Sequence, residues 1–398
     1  MIIPVTLNGV ELSFLLDTGV EKTMLFSLEE KDSLLLKNAV SLEVQGLGQG
    51  RSIRAFKSEG NQLKIGKAIH DSISLYVIFN KEMNFSPMLG TPVHGIIGSD
   101  FFSDFIVEVN YDGEYIRFFK PSKYNKKNRK YEVSPLYFYD KNPYLKTQIE
   151  VLGFKKEVTL LIDSGLGGDL WLFPNEEIRV PEKNFEDYLG LGLSGSIYGK
   201  RSKIEYFSLG SHEFKNITTA FPDSTIVSKN IKKEILRDGI IGAGILRRFD
   251  LVIDYPNALL YFRPNAFFDT PFYYNMSGLT FKYNGLRVVK DYEYVEVGSF
   301  RNATELKAKN NFNPTTYKVK FRLEPAKEIA EIRPDSPAEK AGLKKGDVLV
   351  KINKRGAERY DLDELEELFS SEVGKKIKIT VERDGKNFST EFLLEEIF

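Results

Sequence analysis

The sequence predicts a mostly β protein: two related lobes arranged as a pseudo-dimer, followed by a smaller α+β module. Three observations carry this expectation. A set of landmarks recurs after about 145 residues. Short apolar or alternating runs bounded by Gly, Asn and Asp fill both copies, as strands and turns require. After residue 265 the repeat stops and a helical period appears.

The repeat is read residue by residue. Glu11-Leu12-Ser13-Phe14-Leu15-Leu16-Asp17-Thr18-Gly19 resembles Glu157-Val158-Thr159-Leu160-Leu161-Ile162-Asp163-Ser164-Gly165, with the two aspartates 146 positions apart. Leu63-Lys64-Ile65-Gly66 answers Phe207-Ser208-Leu209-Gly210, and Gly95-Ile96-Ile97-Gly98 answers Gly239-Ile240-Ile241-Gly242. Phe105, Tyr111 and Phe118 then pair with Phe249, Tyr255 and Phe262. A period this long does not suit a solenoid, so two lobes of one kind are expected. The expected boundaries are 1–120 for the first half, 121–134 for a basic linker, 135–265 for the second half and 270–398 for the C-terminal module, with its core at 325–398. The run Lys120–Lys130 holds six basic residues. A nucleic-acid patch is the sharper reading of such a run, but a solvated spacer is the ordinary one and is expected here.

Composition narrows the function. The chain has 398 residues, enough for two or three domains, and its 42% hydrophobic and 28% charged content is that of a globular protein. The 56 basic and 56 acidic residues balance, which gives no global attraction to nucleic acid or to an anionic membrane. The absence of cysteine excludes disulfides, thiol nucleophiles and Cys-based zinc sites. No apolar run approaches the ~20 residues of a membrane span. Met1 leads straight into strand-like Ile2-Ile3-Pro4-Val5. Such an abrupt start suggests a trimmed leader, in which case a periplasmic, cell-envelope or secreted location is expected; otherwise the compartment stays open.

The chemistry centres on the two Asp-Thr/Ser-Gly turns. An apolar strand delivers each aspartate to a buried position, and the glycine lets backbone and amides approach the carboxylate. One such turn is a common surface feature. Two, each followed about 80 residues later by Gly-Ile-Ile-Gly, are far more specific. Each copy resembles the half-molecule of an aspartic peptidase, closer in loop economy to the retropepsin type than to the pepsin type, over about residues 1–265. The resemblance implies a two-lobed acid-protease β-barrel pseudo-dimer. It implies catalytic carboxylates at Asp17 and Asp163, with Thr18, Gly19, Ser164 and Gly165 supporting their loops. The segments Ile96, Ile97, Gly98 and Ile240, Ile241, Gly242 match the family's hydrophobic-Gly supports. Both halves lie in one chain, so one chain suffices for the site, and neither metal nor cofactor is required.

The family also covers its cleft with hairpin flaps. Candidates are Gly46, Leu47 and Gly48 in the first copy and Gly192, Leu193 and Ser194 in the second, at equivalent places. A phosphate-loop reading of these glycines fails on spacing and because Arg51–Phe56 reads as strand, not helix. His70, His94 and His212 show no metal-ligand spacing and are expected at loop or surface positions. Asp100, Asp104, Asp169 and Asp254 are expected as solvated turn or strand-end acids, and Trp171 as core.

The segment Ile332–Asn353 resembles a bacterial-type PDZ domain. Ser336 is placed to cap a helix that starts with Pro337, and Gly342 to end it. Gly346-Asp347 turns into a buried strand, Val348–Ile352, and a second helix is expected over Asp361–Ser370 with Leu362, Leu365, Leu368 and Phe369 on one face. Ile377–Arg383 and Phe388–Leu394 read as closing strands around Asp384-Gly385. Gly278, Leu279, Thr280 and Phe281 are the candidates for the carboxylate-binding loop and strand, although about 50 residues separate them from Ile332, and Asn302–Tyr317 reads as a polar insertion.

The function expected is an aspartic endopeptidase that hydrolyses peptide bonds, with its PDZ-like module binding a substrate or a regulatory C-terminal peptide. Its partners would be peptides or proteins, with neither nucleic acid nor an integral membrane segment. The alternative is a non-catalytic peptide-binding scaffold on a vestigial protease fold.

Overall fold

In the computed structural model, which describes residues 1–28, 33–44, 53–78, 84–124, 130–192, 195–223, 237–294 and 317–398, the chain opens with a hairpin. Strand Ile2–Leu7 pairs with Val10–Leu16. Asn8 and Gly9 between them take left-handed backbone (φ 47° and 89°), which a two-residue turn needs to match strand twist. Strict alternation then turns Ile3, Val5, Leu7, Leu12, Phe14 and Leu16 into the core. The sheet continues through Gly95–Ile97, Met24–Leu25, Ala68–Val77 and Ile53–Ile65, and pairing of Thr6 with Lys64 closes six strands into a barrel. Val40–Val44 adds to its outside.

The second copy repeats this strand for strand. Asn142–Val151, Phe154–Ile162, Gly239–Ile241, Leu170–Leu172, His212–Pro222 and Gly195–Leu209 form a second barrel, closed where Ile149 meets Phe207. Phe185–Gly192 takes the place of Val40–Val44, and Tyr137–Tyr139 adds one further strand.

A shared sheet joins the lobes. Its order is Glu132–Pro135, Leu259–Pro264, Phe249–Asp254, Ile106–Asn110 and Tyr115–Phe119. The pairing of Ile253 with Val107 in its middle crosses from one lobe to the other. Glu132–Pro135, in the stretch read as linker, is thus a strand. Val107, Val109, Leu251 and Ile253 point from this sheet into the main core, which is continuous through both barrels. This burial of apolar area is what makes the lobes one body.

Arg248 ties the following segment down. It is buried, stacks 3.9 Å from the Phe272 ring, and donates to the carbonyls of Gly244, Phe268 and Thr270. The C-terminal module has its own core and a sheet ordered Leu279–Tyr294, Tyr317–Ile332, Val348–Ile352, Lys376–Arg383, Lys386–Leu393. Ser336 caps helix Pro337–Lys340, and Asp361 with Glu364 forms a capping box on helix Leu362–Phe369. The wide gap before Ile332 is bridged by pairing: Leu279 lies opposite Ile332. Most of the expected insertion Asn302–Tyr317 lies outside the described residues.

The module touches both lobes. Phe398 stacks on Phe185 of the second lobe at 5.3 Å, and Lys203 donates to Glu396 at 3.1 Å. In the first lobe Gly90 ends helix Ser86–Leu89 so close to the module that a Cβ there would lie 2.9 Å from the Tyr283 ring and 3.7 Å from Leu362.

Candidate active site

Each aspartate is delivered by two parallel strands. Leu16 pairs with Ile97, and the Asp17 amide donates to the Ile97 carbonyl at 3.1 Å. Ile162 pairs with Ile241, and the Asp163 amide donates to the Ile241 carbonyl at 3.0 Å. Ile96, Ile97, Ile240 and Ile241 are all buried. Gly98 and Gly242 pack where no side chain fits: a Cβ would lie 2.7 Å from the Lys22 carbonyl carbon and 2.2 Å from the Gly168 oxygen.

The two loops interlock. Thr18 Oγ1 donates across to the Ile162 carbonyl at 2.7 Å and accepts from the Ser164 amide at 3.0 Å. Ser164 Oγ returns both bonds, donating to the Leu16 carbonyl at 3.0 Å and accepting from the Thr18 amide at 3.2 Å. All four bonds are buried, so water does not compete for them. Gly19 and Gly165 complete the crossing. A Cβ on Gly19 would sit 2.5 Å from the Asp163 carboxyl carbon, and one on Gly165 2.4 Å from that of Asp17.

This brings the carboxyls of Asp17 and Asp163 close enough for each to shift the other's titration. Their surroundings differ. Asp17 is 8% exposed and accepts the Gly19 amide at 2.8 Å, whereas Asp163 is more open and accepts two amides, Gly165 at 2.9 Å and Leu166 at 3.0 Å. Burial and the charge of Asp163 push Asp17 well above the usual carboxylate range. Burial raises Asp163 too, but its two amides, the hydrogen bond from Asp17 and the charge of Arg237 hold it lower. Both carboxyls are thus raised, Asp17 more strongly, and the two titrate as one coupled pair.

Beneath the pair lies an apolar floor of Leu16, Ile162, Val107 and Leu251, with Tyr111 and Tyr255 symmetrically placed. Burial first, then the charges of Asp163 and Asp17 respectively, raise both phenols above their ordinary value. Tyr111 and Tyr255 are visible in the sequence only as repeat markers, and Arg237 carries no signal there at all.

Elsewhere the expectations divide. Gly46, Leu47, Gly48, Leu193 and Ser194 lie outside the described residues. Gly192 pairs with Gly195 at the end of the hairpin Phe185–Gly192/Gly195–Leu209, where Tyr188 lies opposite Tyr198. Trp171 is core. His94 is buried rather than superficial, because its Nδ1 accepts the Ser13 amide at 3.0 Å beside the Gly95–Ile97 strand. Asp100 and Asp254 are likewise not solvated: Asp100 accepts from Thr23, and buried Asp254 from Asn257. Among the described residues no cluster of three or more His, Asp or Glu has the geometry to hold a metal.

The pseudo-symmetry breaks at Asp169. In the first copy Asp100 accepts the Thr23 amide and hydroxyl. In the second the acid has changed sides, so Asp169 stands at the threonine position and Gly244 at the acid's. Burial pushes Asp169 up to about 6 despite nearby arginines. It lines a cleft of about 990 Å³ that also touches Tyr188, Tyr198, Gly278 and Thr280, and so runs from the loop after Asp163 to the C-terminal module. There Gly278 adopts φ +80° with its α-carbon against Ser336, while Leu279 and Phe281 are buried, Phe281 stacking on Phe369. Strand Leu279–Tyr294 is the free edge of its sheet.

Comparison with known proteins agrees with this architecture. A family model described as aspartyl protease matches residues 3–101, the first barrel with its Asp17 loop. A model described as PDZ domain matches residues 328–383. No curated protein matches the chain. The chain thus carries an aspartyl-protease unit at its N-terminus and a PDZ domain near its C-terminus.

Two predictions follow from the site's physics. Thr18→Val keeps shape but orphans the Ser164 amide and the Ile162 carbonyl, so urea unfolding should lose about 1–3 kcal/mol, whereas Thr18→Ser should recover most of it. Asp17 holds its proton in the folded state above the ~3.9 of an unfolded chain, so the native state binds more protons in that window and its stability falls as pH rises through it. Asp17→Asn should therefore raise the thermal midpoint at about pH 8, with the gain vanishing below about pH 4.

Proposed function

We propose that this protein is an aspartic endopeptidase in which Asp17 and Asp163 act as one catalytic pair. The observation that carries the reading is the reciprocal crossing of the two loops, which sets the two carboxyls against each other with Asp17 the more strongly raised; we assign the resting proton to Asp17 and the charge to Asp163. In that state Asp163 takes a proton from a water held between the carboxyls, and the resulting nucleophile adds to the scissile carbonyl carbon. Asp17 gives its proton to the carbonyl oxygen, so the tetrahedral adduct is a neutral diol. Asp163, now protonated, delivers that proton to the leaving amine as the C–N bond breaks, and the hydroxyl proton returns to Asp17. The proton count closes, and the pair is restored.

The PDZ domain gives the reading its substrate side. An extended peptide would add to the free edge at Leu279–Phe281, with its terminal carboxylate at the Gly278 turn. From there the cleft bordered by Thr280, Tyr198 and Asp169 leads to the loop that carries Asp163. We read this as a path along which a captured chain is presented to the pair.

Activity against a peptide library tests the first proposal. Asp17→Asn and Asp163→Asn should each lower kcat by on the order of 10⁴-fold while the fold is kept. Cleavage that survives both substitutions would end the assignment, and a folded wild-type chain that cuts nothing would favour the vestigial, peptide-binding reading. The pH profile should fall on the alkaline side as Asp17 loses its proton. For the second proposal, Gly278→Val should raise KM about tenfold for substrates recognised through a free C-terminus, with short internal peptides cut as before. Equal effects on both substrate types would remove the PDZ domain from substrate capture.

A further inference from the structure

The strands Leu279–Tyr294 and Tyr317–Ile332 are each 16 residues long, much longer than the PDZ sheet needs. The next strand, Val348–Ile352, pairs in register with them only at Glu328. From Leu286 to Tyr294 and from Tyr317 to Pro325 the two strands pair with one another and with no third described strand. This makes a two-stranded arm.

The arm's two faces are unlike. On one, Leu286, Val288 and Lys290 lie opposite Pro325, Leu323 and Phe321, with Val319 beyond. Leu286 and Leu323 are 65% exposed, Phe321 61%, Val288 56% and Val319 44%. The one cation on this face, Lys290, lies 6.0 Å over the Phe321 ring. On the other face Arg287 lies opposite Glu324 and donates to the Leu349 carbonyl at 2.9 Å, and Arg322 pairs with Glu324 at 3.2 Å. Val289 joins this second face, opposite Arg322 and half-buried, while the larger exposed apolar side chains of the arm all stand on the first.

A two-stranded ribbon alone is marginal in water. The five exposed side chains present roughly 500 Å² of contiguous apolar surface, at the limit of what monomers leave uncovered and more than half of the ~800 Å² per partner of a standard interface. We propose that the arm is a homodimer interface. A twofold axis in the interface plane, crossing the strands at the Val288–Leu323 pair, sets Val288 on its equivalent and Leu323 on its equivalent. Phe321 then covers Pro325 of the second copy. Such a contact is isologous and closes at two.

Charge and availability choose a second copy over other occupants. Arg322 on the polar face is paired with Glu324, and the chain carries 56 charges of each sign, so an anionic bilayer gains little from it. The apolar face offers one cation, already over an aromatic ring, and no anion to seek a charged protein. A second copy is present whenever the chain folds, and each arm matches the other in length and polarity. The inference rests on the arm and not on the peptidase reading.

Sedimentation velocity of the full chain from about 1 to 100 µM should show a species of twice the 45.5 kDa chain mass. Phe321→Lys combined with Leu323→Lys should weaken dimerisation by about 100-fold or more with circular dichroism unchanged. The chain lacks cysteine, so Val288→Cys supplies a single thiol that should form a disulfide-linked dimer on oxidation; this variant decides the matter if the double lysine variant misfolds. A monomer at every concentration overturns the proposal. So does a dimer indifferent to the lysines in which Val288→Cys stays uncrosslinked, or an arm that binds anionic phospholipid vesicles and leaves the chain monomeric.

Discussion

Everything in the protease unit depends on the four buried hydrogen bonds by which Thr18 and Ser164 lock two loops from opposite halves. Each hydroxyl both donates to and accepts from the other half's backbone, so neither loop is satisfied alone. The lock holds the α-carbons of Gly19 and Gly165 against the opposite carboxyls, at distances that exclude even a methyl group. It is supported from below by the sheet in which Ile253 pairs with Val107, and from behind by the parallel strands that carry Ile97 and Ile241. The carboxyl pair is thus a product of assembly, and its environment belongs to both halves.

A symmetric frame would give two equal acids. The inequality comes from small departures. Asp163 collects one more amide than Asp17, while Asp17 is the more deeply buried and is raised further above the ordinary carboxylate range. The other departure, the exchange of Thr23–Asp100 for Asp169–Gly244, places an acid of the second copy on the cleft that reaches the PDZ domain. Duplication built the pair, and local divergence gave it direction.

The PDZ domain is bound to both lobes through aromatic stacking and close backbone approach, not through a large shared core. Its edge strand serves two stretches of chemistry. The first part, near Gly278, borders the cleft, and the second, beyond Gly285, leaves the domain as the apolar-faced arm. The contact of Gly90 with Tyr283 lies at the changeover, in the segment that leads through Val93 and His94 to the strand supporting Asp17. Position along one strand therefore separates the edge proposed for peptide from the face proposed for a second chain.

The sequence by itself determined what local pattern and repetition can encode. Alternating strands, the capping residue Ser336, and the equivalence of Asp17 with Asp163 are all properties of neighbours in the chain or of one motif laid on another. It also pointed to Ile97 and Ile241, because each copy repeats them at nearly the same offset. It read the acids wrongly where burial depends on distant chain: Asp100 and Asp254 are solvated by local pattern and paired by the fold, and His94 is held by an amide from 81 residues away. Only the tertiary structure made the two aspartates unequal, since amide count and burial are set by packing between halves. Only it joined Gly278 to Ile332 and drew the strands beyond Gly285 out into an arm with an outward apolar face. The reason is the same in each case: charge state and exposure are sums over neighbours in space, and the sequence lists neighbours only along the chain.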